Sequence, residues 1–166
     1  MKEKILELQK KWADGIIKMG ELSNDRKVLE SSTILFLNDM YDFDGGPILF
    51  KPTKASEIQY RYNLLEALSY FIAGDDRECS EDQGFALAKW KKITFDNSHI
   101  KIIENLGFAV GNYYFENEKT KIKAEYSFGY IEIDSYVKIF LHHSSIPYKK
   151  WNILKSSQAL WIGVFG

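Results

Sequence analysis

The chain has little sulfur, little imidazole and almost no net charge. One cysteine, Cys79, stands among 166 residues. That excludes an internal disulfide and any multi-cysteine metal site. Three histidines, His99, His142 and His143, are the whole imidazole inventory. The formal net charge is −1 with both signs interspersed, so there is no clustered basic face of the kind nucleic acid requires. No apolar run approaches the roughly 18 residues of a membrane span. The opening stretch, MKEKILELQKKW, carries charges where a signal peptide needs an apolar core, so the expectation is an unexported, cytoplasmic protein.

What is present is a globular composition, 45% hydrophobic and 15% aromatic. A chain this long is expected to be a single domain, 1–166, that buries about 70% of its unfolded surface. Ile5, Leu8, Trp12, Ile16 and Met19 fall at helical spacing, with Gly20 as a stop. Ser23, Asn24 and Asp25 offer caps for a second helix reaching about Met40. Ile48–Phe50 reads as a short strand closed by Lys51-Pro52-Thr53. Ile58, Tyr62, Leu65 and Ile72 suggest a helix ending near Gly74, and Ser80-Glu81-Asp82-Gln83 has capping-box form for another.

From Trp90 the period falls to two. Strands are expected at Lys91–Phe95, Ile100–Ile103, Phe108–Phe115, Ile122–Ile131 and Tyr136–Ser144, separated by turn residues at Asp96-Asn97-Ser98, Asn105-Leu106-Gly107, Asn117-Glu118-Lys119 and Asp134-Ser135. Such short connections force antiparallel neighbours. Helices followed by a strand meander predict an α+β fold, with N-terminal helices packed on a curved antiparallel sheet. Aromatics occupy both faces of the later strands, so the sheet needs two covers. Helices supply one, and a second subunit is the economical source of the other: a homodimer through the sheet.

The stretch YVKIFLHHSSIPY, residues 136–148, carries the chemistry. Strict alternation puts Val137, Ile139, Leu141, His143 and Ser145 on one face, and Tyr136, Lys138, Phe140, His142 and Ser144 on the other. An aliphatic stripe that turns polar at its end suits the lining of a pocket with a dry floor. The plainer reading is that His143 and Ser145 only finish a sheet edge. Adjacent strand residues face apart, so His142 and His143 do not ligate one ion together, and a three-histidine zinc site is disfavoured.

Six motifs in order carry a resemblance: ILFKPT (48–53), SYF (69–71) with Gly74-Asp75, Glu81-Asp82 with Gly84-Phe85-Ala86, GNYYF (111–115), YSFGY (126–130) and HHSSIP (142–147). Together they resemble the iota-class carbonic anhydrases, whose domain is similar to the association domain of calmodulin-dependent protein kinase II. The likeness implies the cone-shaped nuclear transport factor 2-like fold. It runs from about Trp12 to Tyr148 and leaves 149–166 as a C-terminal tail without counterpart.

The resemblance implies reversible hydration of carbon dioxide to bicarbonate. In the metal-free branch it implies a site of threonine, tyrosine and serine hydroxyls with no cofactor and no metal. The threonine matches Thr53, the tyrosine Tyr70, and the serine one of the pair in HHSS. Alternation favours Ser145, which shares the aliphatic face with His143; Ser144 is the fallback. His143 is then the candidate proton acceptor, an unperturbed imidazole having a pKa near 6.5. Two other readings of the same fold stay open: a dehydratase or isomerase acting on hydrophobic rings with a buried Asp, and a non-catalytic oligomerisation module.

Overall fold

The computed structural model describes residues 1–149. The expected tail lies outside them, Lys149 apart. The elements run α1 (Lys2–Glu21), α2 (Arg26–Met40), β1 (Leu49–Lys51), α3 (Leu64–Ile72), β2 (Lys92–Ile103), β3 (Leu106–Glu116), β4 (Lys121–Ile133) and β5 (Tyr136–Ser145). The sheet order is β1-β5-β4-β3-β2. β2 to β5 form an antiparallel meander, and β1 closes the far edge parallel to β5. Among the described residues no helix is long and apolar enough to cross a membrane.

The helical spacing of α1 turns Ile5, Leu8, Trp12, Ile16 and Met19 inward onto the sheet. Trp12 is the hub. Its indole meets Phe71 of α3, Phe95 of β2, Tyr113 and Phe115 of β3, Phe128 of β4 and His142 of β5, with ring centroids 5.6–6.4 Å away. α2 begins at Asp25, whose side chain accepts from the Val28 amide as an N-cap should.

The structure departs from expectation in four places. Asp96-Asn97-Ser98 does not turn the chain. β2 is one strand with a bulge there, Asn97 pairing with Gly111 and His99 with Val110. Small polar residues serve a bulge as well as a turn, and the pairing with β3 decides between them. α3 starts late, capped by Asn63, and leaves Ile58 and Tyr62 exposed in the preceding loop. The segment after Ser80 forms no capping box. Glu81 instead reaches across to accept from the Ser56, Glu57 and Ile58 amides and the Ser56 hydroxyl. The fourth departure lies in β5 and reshapes the site.

Leu141 pairs with Gly129, but Ile139 pairs with Tyr130, so Phe140 is an extra residue in β5. This β-bulge breaks alternation. Val137 and Ile139 face inward, and so do His142 and Ser144, while His143 is exposed. Gly129 makes the room: a Cβ there would stand 2.7 Å from the Phe140 ring and 2.9 Å from the Leu141 Cβ.

Candidate active site

Three elements bring hydroxyls to one point. β1 runs parallel to β5 with Phe50 opposite His142, and the chain leaving β1 carries Thr53 to the end of β5. There the Thr53 hydroxyl bonds the Ser144 hydroxyl. From β3, the Tyr113 hydroxyl donates to the same Ser144 oxygen. Tyr70 of α3 joins Thr53, Tyr113, His142 and Ser144 around a cavity of about 10 Å³, floored by Trp12, Phe50, Phe71 and Phe85. That is room for about one water.

Thr53, Tyr70 and Phe85 also border an outer cleft of about 650 Å³, whose walls include Lys54, Ser56, Glu81, Asp82 and Gln83. Thr53, Tyr70 and Phe85 are thus the residues that the outer cleft and the small inner cavity share. Burial pushes the phenols of Tyr41, Tyr70 and Tyr113 up, so all three stay protonated and act as donors.

His142 is buried between aromatic rings, stacked on Phe50 at 4.4 Å and tilted against Phe128 at 4.0 Å. Its Nδ1 lies 2.9 Å from the Tyr41 hydroxyl and its Nε2 3.5 Å from the Tyr113 hydroxyl. Burial among apolar rings, and secondarily the neighbouring His143, pulls its pKa well below the ordinary value. The ring is therefore neutral at physiological pH.

The expected residues are thus placed unevenly. Thr53 and Tyr70 line the cavity. Ser145 and His143 do not. Ser145 donates to Glu125 at 3.2 Å on the outer face, and His143, opposite Lys51 and Ser127, is exposed beside it. The extra residue at Phe140 moves the inward face onto Ser144 and His142, which corrects the alternation argument. Two participants had not been singled out. Tyr113 lies within GNYYF, in phase with inward-facing Ala109 and Phe115. Tyr41 sits in a loop-like YDFDGGP stretch, and nothing in its sequence context marks it. The signal for the bulge was Gly129 in mid-strand.

Asp82 is the buried acid of the cleft, and both its oxygens are engaged. Oδ1 accepts from Arg61 at 2.8 Å and Oδ2 from the Ser69 hydroxyl at 2.6 Å. Among the described residues no group of three or more His, Cys, Asp or Glu is arranged to hold a metal ion.

The solved structure of the iota-carbonic anhydrase from a cyanobacterium, complexed with bicarbonate, superposes with a TM-score of 0.85 at 28% identity, covering 90% of this chain and 94% of that one. A nuclear transport factor 2-like superfamily protein from Salmonella enterica, 13% identical, superposes at 0.54 over 93% and 96% of the two chains, a likeness of fold alone. In sequence, the metal-independent carbonic anhydrase of a Nostoc species is 33% identical over 152 residues, 88% of this chain and 73% of that protein. The family pattern of metal-independent carbonic anhydrases matches residues 3–146, which include every element around the hydroxyl cluster. A hydroxyl-lined cavity on a nuclear transport factor 2-like α+β fold, and agreement in sequence along nearly its whole described length, make this chain a member of the metal-independent carbonic anhydrase family.

Proposed function

We propose that this chain hydrates carbon dioxide reversibly at the inner end of the cleft, with Thr53, Tyr70, Tyr113 and Ser144 as the working hydroxyls. The observation that carries this reading is the convergence of the Thr53 and Tyr113 hydroxyls on the Ser144 oxygen at the wall of the small inner cavity. The water oxygen bonds to carbon, one C=O electron pair moves onto its oxygen, and one water proton leaves to give bicarbonate. Negative charge grows on the two original oxygens. Fixed O–H donors in a low-dielectric pocket stabilise that charge without reorganising, and removal of one typically costs roughly 2.7–4 kcal/mol. The bicarbonate in the cyanobacterial structure supports the substrate assignment.

The proton takes a different route from the one alternation suggested. His143 faces away from the cavity, and His142, held neutral by burial, is too weak a base at neutral pH. We assign the proton to solvent, through the mouth bordered by Lys54, Ser56 and Gln83. A ring dehydratase would need a free carboxylate, and Asp82 is tied to Arg61 and Ser69.

The test is carbon dioxide hydration by the purified chain, before and after exhaustive chelation. Activity unchanged by chelation, with no stoichiometric metal by elemental analysis, is the expected result. Loss on chelation, restored by one ion, would overturn the metal-free reading.

We further propose a homodimer through the outer sheet face. Phe108 and Phe140 meet edge-to-face there at 6.1 Å, and Val110, in phase with Phe108 on β3, is 44% exposed. Light scattering should give twice the chain mass, and Val110→Glu should shift it toward the monomer. A native chain that is monomeric at micromolar concentration removes the proposal.

A further inference from the structure

We propose that Trp12 and Tyr41 are positioning residues for the reaction: acting through His142, they hold the Tyr113 proton toward Ser144 and the cavity. The inference rests on the reading of that cavity as the reaction site.

The argument follows single protons. The Trp12 indole is a donor only, and its Nε1 donates to the Tyr41 hydroxyl at 3.0 Å. Tyr41 is fully buried, so its own proton must find an acceptor. Trp12 accepts nothing, and the atom in reach is His142 Nδ1, 2.9 Å away. Nδ1 is therefore bare. Because the ring is neutral, its one proton sits on Nε2.

That placement matters at Tyr113. Its hydroxyl stands between His142 Nε2 at 3.5 Å and Ser144 Oγ, to which it donates. A bare Nε2 would be a second acceptor and would draw the Tyr113 proton into the core. A protonated Nε2 offers none, so the Tyr113 proton goes to Ser144. Ser144 then passes its own proton toward Thr53, and the Thr53 proton is left for the cavity. The donor-only indole of Trp12 thus orients a chain of neutral groups that ends on the substrate. Packing between Phe50, stacked on it, and Phe128, tilted against it, keeps the imidazole from turning over.

The test combines nitrogen-15 spectroscopy of the full chain, with His142 identified by comparison with His142→Asn, and steady-state kinetics. In the native chain His142 should show a bare Nδ1 and a protonated Nε2 at neutral pH. Tyr41→Phe removes the donor to Nδ1. The Nδ1-protonated form should then appear, and kcat should fall about tenfold to a hundredfold, less than the roughly 10²–10³-fold loss for a donor that itself meets the developing charge, with KM little changed. A protonated Nδ1 in the native chain overturns the proposal. So does a folded Tyr41→Phe chain whose kcat lies within about twofold of native. Should Tyr41→Phe fail to fold, the native spectrum decides alone. A native chain without hydration activity would remove the proposed function instead, and the His142 measurement would still stand.

Discussion

Ile139 and Ser144 face the same side of β5 although they lie five positions apart, an odd spacing that a regular strand forbids. The extra residue, Phe140, accounts for it. The functional end of β5 is therefore set by a local break in pairing and not by the run of the strand.

Ser144→Ala should lower turnover about 10²–10³-fold, as loss of a transition-state donor does, because Ser144 orients the Thr53 proton that meets the substrate. Ser145→Ala should leave it within about twofold, since Ser145 bonds Glu125 on the outer face. Stopped-flow hydration assays on both folded variants check this. The reverse ranking would place the bulge elsewhere.

Tyr113→Phe keeps the ring among Trp12, Phe95 and Phe115 and removes only the hydroxyl. Its turnover should fall by about the same factor as that of Ser144→Ala, and the double variant should be little worse than either, because the two hydroxyls act as one unit. Additive losses would show that they act separately.

Gly129→Ala should be costly in two ways. The added methyl meets Leu141 Cβ, which cannot rotate away, so overpacking should cost about 1–3 kcal/mol in urea unfolding. Any repair that straightens β5 turns Ser144 outward, so activity should fall further than the unfolded fraction explains. A folded Gly129→Ala chain with native turnover would detach the bulge from the site.

Asp82→Ala should cost about 3–5 kcal/mol, the usual result of stranding one partner of a buried ion pair. Arg61 has no accessible side chain, and its Nε already lacks a partner. Were Asp82 a general base, Asp82→Asn would abolish turnover with stability nearly intact. We expect instead a loss of stability that accounts for the loss of activity.

The pH dependence of stability follows from two depressed pKa values. The folded pKa of His142 lies well below 6.5, so below pH 6.5 the unfolded chain binds a proton that the folded chain refuses. Stability is whole above about pH 6.5 and declines as pH falls, by up to about 1.4 kcal/mol per unit for one site. Glu81, held at about 2 chiefly by the hydroxyl and amide of Ser56, adds a loss that begins near pH 4.5 and continues to about pH 2. Chemical denaturation from pH 7.5 to 4 should show the first slope, and His142→Asn should flatten it.

The helices and the sheet were legible because burial imposes a period. Trp12 lies in phase with Ile5 and Ile16, and Tyr113 with Phe115, and no other register hides so much apolar surface. The motifs named the family for a related reason: Thr53, Tyr70 and the HHSS run are residues whose chemistry is carried by type and order.

Two neighbouring serines differ by nothing a local pattern can read. Their assignment depended on whether β5 spends ten residues on nine positions of β4, and Gly129, on the partner strand, allows that. Tyr41 likewise joins the site only because β5 bridges to the chain at the end of α2, pairing it with Ile139. Composition and periodicity determined which side chains are buried and which chemistry is on offer. Pairing between distant strands decided which hydroxyl enters the pocket, because a strand's facing is fixed by the hydrogen bonds it makes to its neighbour and not by its own sequence.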